Sequence, residues 1–496
     1  MAAYTFNLSR NCLTNSSSTR RRIAVLGGGV SGLTAAYTLA RARQAGAPID
    51  EFLVEAKDRL GGVVQTEHVN GFVIEAGPDS FLTEKPEAAA LCRELGLGES
   101  LIGSNDHRRR TYVLHHGKLV PLPDGLMLLV PRKIWPIVRT RLLPLTSKLA
   151  MASERFMSPP ARDGAADESV ESFVTRHFGS SMLENIADPL LAGVYGGDSA
   201  LLSARSVLNR FWQMEENYGS LARGVLAARR KRQAARRKDP NFRPAADPPL
   251  FTTLKNGLGE MAATLAKNLD RDRVFMRQRI EAIETEQADG QPVYRIRCEG
   301  GASHIAHALV LALPTFECAR LLATLDAPLA RTLAAISYTS AMTVALGYDS
   351  QVASRLPAGF GYLVPKKENR RLLACTFVHN KFDHRAPPRH ALLRCFLGGA
   401  RDGGVLNLSD DEVLSLVEEE LRTVLSLSAE PLFHRIHRWP SSMAQYHVGH
   451  WKILSQIEAR LKDHPSLALA GNAYSGIGIS DCVRTGRAAA ERVLKS

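Results

Sequence analysis

The chain has 496 residues, 45% of them hydrophobic, a formal net charge of +13 and seven cysteines. Such a length and apolar content bury a large core and predict two or three domains, while the lack of any run of about 18 uncharged apolar residues excludes a membrane-spanning helix. The cysteines at 12, 92, 298, 318, 375, 395 and 482 are odd in number, scattered and never spaced C-x-x-C; that argues against a disulfide framework or a cysteine metal site, fits a reducing compartment, and leaves no metal expected.

The first 22 residues carry Arg10, Arg20, Arg21 and Arg22, much Ser and Asn, and no acid. That bias is the composition of an organelle transit peptide, and equally that of a disordered tail on a bacterial protein. The apolar run Ile23 to Leu26 then predicts a buried strand, and Gly27, Gly28, Gly29, Val30, Ser31 and Gly32 place a G-x-G-x-x-G turn before an Ala/Leu-rich helix. The glycines allow a tight turn, close approach of backbone to a pyrophosphate and close packing of helix on strand, and the helix N-terminus offers free N–H groups to phosphate. A second strand, Phe52 to Val54, ends in Glu55, about 20 residues on, where an acid hydrogen-bonds a ribose hydroxyl. The glycines alone are weak evidence; the whole strand–turn–helix–strand–acid order predicts a Rossmann-like dinucleotide site.

Residues 55–62, EAKDRLGG, resemble the E-x-x-x-R-x-G-G loop of the amine oxidase and phytoene desaturase superfamily, which wraps FAD; this selects Glu55, Ala56, Arg59, Gly61, Gly62 and Val63. GFVIEAGPDS at 71–80 resembles that superfamily's loop beside the isoalloxazine, with Gly77, Pro78, Asp79 and Ser80 as contacts, although read alone it is an ordinary Gly-Pro turn.

Residues 86–210 read as mainly helical. Within them, from Arg108 to Arg141, apolar pieces at 126–130 and 134–138 alternate with Arg132, Lys133 and Arg139, a mixture suited to an anionic bilayer face. A second basic stretch, 223–243, holds nine Lys and Arg against Asp239; a solvated helix face and a bilayer-facing one have equal claim to it. Nucleic acid is a poor third choice and no such partner is expected, because no binding module or aromatic interleaving accompanies the charge. Farther on, Val274–Ile283, Pro292–Cys298 and Ala308–Leu313 read as strands, followed by Thr343–Leu346, Leu372–Phe377 and Leu392–Leu397. The chain ends in a strand at Leu467–Gly471, a glycine-bearing loop, and a helix N-capped by Ser480 or Asp481. A helix N-terminus aimed at a flavin pyrimidine favours negative charge there. His447 and His450 read as structural.

These pieces divide the chain into FAD-binding segments at 1–85, 251–315 and 445–496, a helical membrane-associating domain at 86–210, a basic insert at 211–250 and a substrate-binding domain at 316–444. The fold class is α/β (α+β overall): a Rossmann-like FAD-binding domain, a mixed-sheet substrate domain and a mainly helical insertion.

Further matches make the chain resemble the oxygen-dependent, FAD-containing protoporphyrinogen oxidases over nearly its whole length: YVLHHGKLVPLP at 112–123, DPLLAGVYGGD at 188–198, GFGYLVP at 359–365, FDHRAP at 382–387, QYHVGH at 445–450 and GIGISDC at 476–482. The resemblance implies that Leu363 and Phe396 clamp a porphyrinogen ring, that Thr376 stands where the family has a third aliphatic wall, and that Gly193 brings backbone close to the ring. It adds Ile280, Trp439, Ile477, Gly478 and Ile479 to the FAD contacts. One departure stands out. The family's propionate-binding arginine falls on Thr111, so Arg110 or Arg109 is assigned that role, since guanidinium recognises carboxylate bidentately; solvent or lipid headgroups are the competing partners of this triplet.

The resemblance implies three hydride removals from the saturated bridges of protoporphyrinogen IX, with O2 as acceptor and H2O2 as product, and no side-chain base. It also implies peripheral association with the inner face of the cell membrane from the cytoplasm, or with an organelle membrane if a transit peptide precedes the fold, a homodimer, and hand-off to the next haem-pathway enzyme. Coproporphyrinogen III, with four propionates, an amine or carotenoid substrate, and a flavin-free binding module are the alternatives. The intact Gly27, Gly29, Gly32, Glu55, Arg59 and Gly62 argue against the last.

Overall fold

The computed structural model describes residues 20–127, 130–131, 134–158, 166–238, 248–288 and 290–496. The N-terminal tail before residue 20, part of the apolar–basic stretch near 128–133 and the end of the basic insert after 238 lie outside the described residues.

Apolar runs with both faces covered form parallel sheets. Here Arg21–Leu26 pairs with Ile49–Val54 on one side and Ala308–Leu311 on the other, all parallel. Val274–Phe275 and Leu467–Leu469 complete five strands. Helices Val30–Gln44, Gly259–Lys267 and Ile479–Lys495 bury one face against Ile23, Val25 and Val310. Helices Thr315–Leu322, Ala327–Ala334 and His450–Leu461, with the antiparallel strands Ile280–Ala288, Gln291–Cys298 and Ser303–Ala306, cover the other. The strand expected over Val274–Ile283 is two strands. Arg277 sits at φ +57° between them, a left-handed turn that breaks an extended run.

The second sheet has seven strands, in the order Phe433–Ala444, Tyr338–Tyr348, Ala391–Gly398, Ala374–Phe377, Gly361–Leu363, Thr111–His115 and Lys118–Pro121. Residues 111–121 thus join strands from beyond 338, so the segment read as mainly helical also supplies two strands. Side chains alternate across a strand. Tyr362, Cys375, Cys395 and Val344 lie opposite one another and point into a core closed by the helix Asp410–Leu425. Leu363, Ala374, Phe396 and Thr343 form the next row and point the other way.

A third core, built on Phe173, Ile186, Phe211, Trp212 and Leu221, holds the helices of 145–238 together. Buried charge sits inside it. His177 lies between Glu154 at 3.0 Å and Glu215 at 3.2 Å, and Arg176 pairs with Glu215 at 2.6 Å. Glu154 also accepts from the backbone N–H groups of Leu221 and Ala222, the start of the basic helix Leu221–Lys238.

Candidate functional site

The dinucleotide cradle is built from backbone. Gly27 takes φ +104°, and a Cβ there would lie 2.6 Å from the Ala312 carbonyl oxygen. Gly29 caps the helix Val30–Gln44 with no side chain on its free N–H groups and no acid in the first turn. A Cβ built on Gly29 meets nothing within 4 Å, so the space before this helix N-terminus is open, as an incoming phosphate requires. Gly61 N–H donates to the Gly28 carbonyl at 2.8 Å, Arg59 donates to the Gly62 carbonyl at 2.7 Å, and a Cβ on Gly62 would lie 3.0 Å from the Gly29 Cα. Glu55 stands at the end of its strand, accepting from the N–H of Gly28 at 2.6 Å and of Lys57 at 2.8 Å; it braces the glycine turn. Val30 and Ser31 are buried in the first helical turn, and Ala56 begins the turn that leads to Arg59. Ile280 is buried against the Phe52 core near Glu55.

The C-terminal helix returns here, as its sequence implies, but its cap differs. Gly478 is the N-cap, and Asp481, three residues in, reaches back to the Gly478 N–H at 3.2 Å while pairing with Lys85 at 2.6 Å. Ser480 donates to the Lys85 carbonyl, so neither polar residue is the cap. Ile477 packs on the second core and Ile479 on the first. Gly486 lets this helix touch the first turn of Val30–Gln44, since a Cβ would stand 2.3 Å from the Ser31 carbonyl oxygen. The open, uncapped turn and the glycine cradle fit the phosphates and ribose of FAD.

Loop 76–80 joins the two sheets. The Ala76 carbonyl accepts from Thr343 Oγ1 at 2.8 Å and Trp439 Nε1 at 2.9 Å, and Arg394 donates to the Gly77 carbonyl. Asp79 pairs with Lys381 at 2.9 Å and accepts from Ser80 at 2.6 Å. Burial alone would raise the Asp79 pKa, but the charges of Lys381 and Arg394 outweigh it and hold the carboxyl well below its usual range. Pro78 lies between them in the same loop.

On the sheet face that carries Thr343 and Arg394, Leu363, Ala374 and Phe396 stand side by side on three strands, with Thr376 diagonal to them. Strands are about 4.8 Å apart, so Leu363 and Phe396 are walls about 10 Å apart with a methyl between them. A Cβ added to Gly193, on the helix Asp188–Tyr195, would lie 3.8 Å from Leu363 Cδ2. Leu363, Thr376 and Phe396 therefore share one face of the second sheet, with Gly193 beside Leu363. The Arg110 carbonyl accepts from the Phe360 N–H at 2.8 Å, which sets this residue at the start of strand Gly361–Leu363. Its side chain is exposed and forms no ion pair among the described residues, whereas Arg109 is engaged by Asp106 at 3.3 Å.

Thr343, Lys381 and Arg394 were not singled out by sequence. The available signal was Arg394 itself, a cation inside the apolar run LLRCFL, which a strand accepts only with a buried partner. His450 is buried, stacked on Tyr446 with ring centroids 4.1 Å apart; burial lowers its pKa to about 4, so it is neutral.

A profile of flavin-containing amine oxidoreductases matches residues 30–494. Among curated relatives, a coproporphyrinogen III oxidase of Bacillus subtilis is 31% identical over 96% of this chain and 98% of its own length. Chloroplastic protoporphyrinogen oxidase 1 of Arabidopsis thaliana is 29% identical over 92% of this chain and 85% of its own length. The crystal structure of a candidate protoporphyrinogen oxidase from Exiguobacterium sp. superposes with a TM-score of 0.82 at 28% identity, covering 96% of this chain and 99% of the other.

Proposed function

The chain belongs to the flavin-containing amine oxidoreductase family and is an FAD-dependent oxidoreductase; we propose that it oxidises a porphyrinogen to the corresponding porphyrin in haem biosynthesis. The observation that carries this reading is the row Leu363, Ala374 and Phe396, with Thr376 diagonal to it and Gly193 beside Leu363, on the sheet face that also meets loop 76–80; we read it as a substrate trough. Its floor is Ala374, Leu363 and Phe396 are apolar walls and Thr376 is a more polar one, which suits the largely apolar ring of a tetrapyrrole.

When bound, FAD supplies the two-electron acceptor for hydride leaving a saturated bridge carbon. The residues of the chain orient the ring. Leu363 and Phe396 hold its faces and exclude water, Gly193 lets the helix backbone approach, and Arg110 pairs with a propionate at the open end. No side chain is assigned as base, and the pyrrole N–H proton leaves to solvent. Three rounds remove six electrons, with O2 as acceptor and three H2O2 formed.

Protoporphyrinogen IX, with two propionates, is the substrate implied by the motif set. Coproporphyrinogen III is the second reading. It is favoured by the relative named for it and by exposed cations at both ends of strand Gly361–Leu363: Arg108 and Arg110 at one, Lys366 and Lys367 at the other. The deciding experiment gives FAD-loaded protein both porphyrinogens side by side and follows porphyrin fluorescence and oxygen uptake. Faster turnover of one assigns the substrate, and turnover of neither overturns the porphyrinogen reading.

The proposed location is the surface of an anionic bilayer. Trp135 is 71% exposed, Leu145 70%, Leu149 60% and Phe156 81%, and Arg139 and Arg155 lie over the rings of Trp135 and Phe156. Apolar and aromatic side chains alternating with cations match a headgroup layer.

A further inference from the structure

We propose that Arg394 is a positioning residue that raises the reduction potential of the bound cofactor through the Ala76–Gly77 peptide. This rests on the reading that loop 77–80 lines the flavin. The Ala76 carbonyl takes hydrogen bonds from Thr343, from Trp439 and, at 3.5 Å, from Arg394, and the same Nη2 of Arg394 donates to the Gly77 carbonyl. No peptide among the described residues is cis, so the Gly77 N–H points opposite to the Ala76 carbonyl, away from the sheet. That N–H has no acceptor among the hydrogen bonds of the described residues. Pro78 removes the next donor. The loop therefore directs its acceptors to the sheet and leaves one aimed N–H on the other side.

Charge accompanies this geometry. Arg394 is 4% exposed, and its Nε has no partner. Around it Lys381 matches Asp79, and Arg385 matches Glu75 at 3.2 Å. Among these five groups Arg394 is the cation left over. A buried unmatched positive charge favours negative charge accumulating nearby, and Arg394 at 3.5 Å, together with the closer Thr343 and Trp439, polarises the Ala76 carbonyl, which strengthens the Gly77 N–H across that peptide. Both effects favour the reduced cofactor.

The test uses FAD-loaded Arg394→Met, Arg394→Lys and Thr343→Val proteins. It measures midpoint potential by equilibration with a reference dye, together with holoprotein melting temperature, kcat and KM. The methionine variant is expected to keep FAD, to shift its potential to more negative values and to lose about tenfold or more in kcat with KM little changed; lysine should restore most of the potential. An unshifted potential in folded Arg394→Met, or a lysine variant no closer to wild type than methionine, overturns the proposal. Should the methionine variant fail to fold, Thr343→Val decides: a smaller shift in the same direction supports the proposal, and no shift overturns it. A wild-type protein that takes up no FAD would sink the flavoprotein reading itself, which no variant result can mimic.

Discussion

A methyl group at position 77 would lie 1.9 Å from the Val63 carbonyl oxygen, and one at position 32 would lie 1.8 Å from that of Gly27. These are backbone atoms with nowhere to retreat, so Gly77→Ala is expected to release FAD. Equilibrium dialysis of the flavin checks it, and retention at wild-type affinity would remove loop 77–80 from the site. In the trough, Phe396→Ala deletes a wall. Loss of one apolar contact surface is worth about 1–3 kcal/mol, so KM for the porphyrinogen should rise between about tenfold and a hundredfold with the flavin spectrum unchanged. The glycines were legible in sequence because each role demands that one residue type at a fixed spacing. Ala374 and Arg394 were not. An alanine becomes the floor of a trough, and an arginine a buried cation, only once strand register puts Leu363 and Phe396 on either side of the one and the Gly77 carbonyl against the other.

Element ends and their anchors obey the same division. Glycine caps the C-terminal helix where a serine or aspartate was expected, because Asp481 satisfies the end from inside the first turn while binding Lys85. Glu154 does this work across elements, holding the start of the basic helix by two N–H groups and by His177. Glu154→Ala leaves those donors and His177 buried without their acceptor and should cost about 3–5 kcal/mol in denaturant unfolding. Burial alone would lower the His177 pKa, but hydrogen bonds to Glu154 and Glu215 outweigh it and hold it above its ordinary value. The sign follows from linkage: stability from this contact is complete below about pH 6.5 and is lost as pH rises through the folded-state value. Burial would raise the Glu215 pKa, and hydrogen bonds from His177 and Arg176 instead bring it down from 4.5 to about 2, so its share is complete above about pH 4.5 and is lost as pH falls toward the folded-state value. The melting temperature of wild type should therefore fall more steeply above neutral pH than that of His177→Gln; parallel curves would contradict the assignment. None of this network was visible beforehand, since the partners of Glu154 lie 23 to 68 residues away in sequence.

At the scale of the whole molecule, the nucleotide-binding half was readable because its strands are continuous apolar runs beside turn signals. The split of the second sheet was less so. Strands 111–115 and 118–121 look like part of a helical insertion until parallel pairing with Gly361–Leu363 places them. The proposed bilayer contact predicts that Trp135→Glu combined with Phe156→Glu abolishes co-sedimentation with phosphatidylglycerol vesicles while soluble turnover persists; unchanged binding would contradict it. Finally, the central parallel sheet seats Leu467–Leu469 beside Ala308–Leu311 and lays the helix Ile479–Lys495 over the first helix. During synthesis the N-terminal strand and glycine turn leave the ribosome first, yet their sheet and helix layer stay incomplete until translation has passed residue 490. Flavin capture is therefore expected only after the C-terminal helix has emerged, and nascent chains stalled before Leu467 should show no flavin binding.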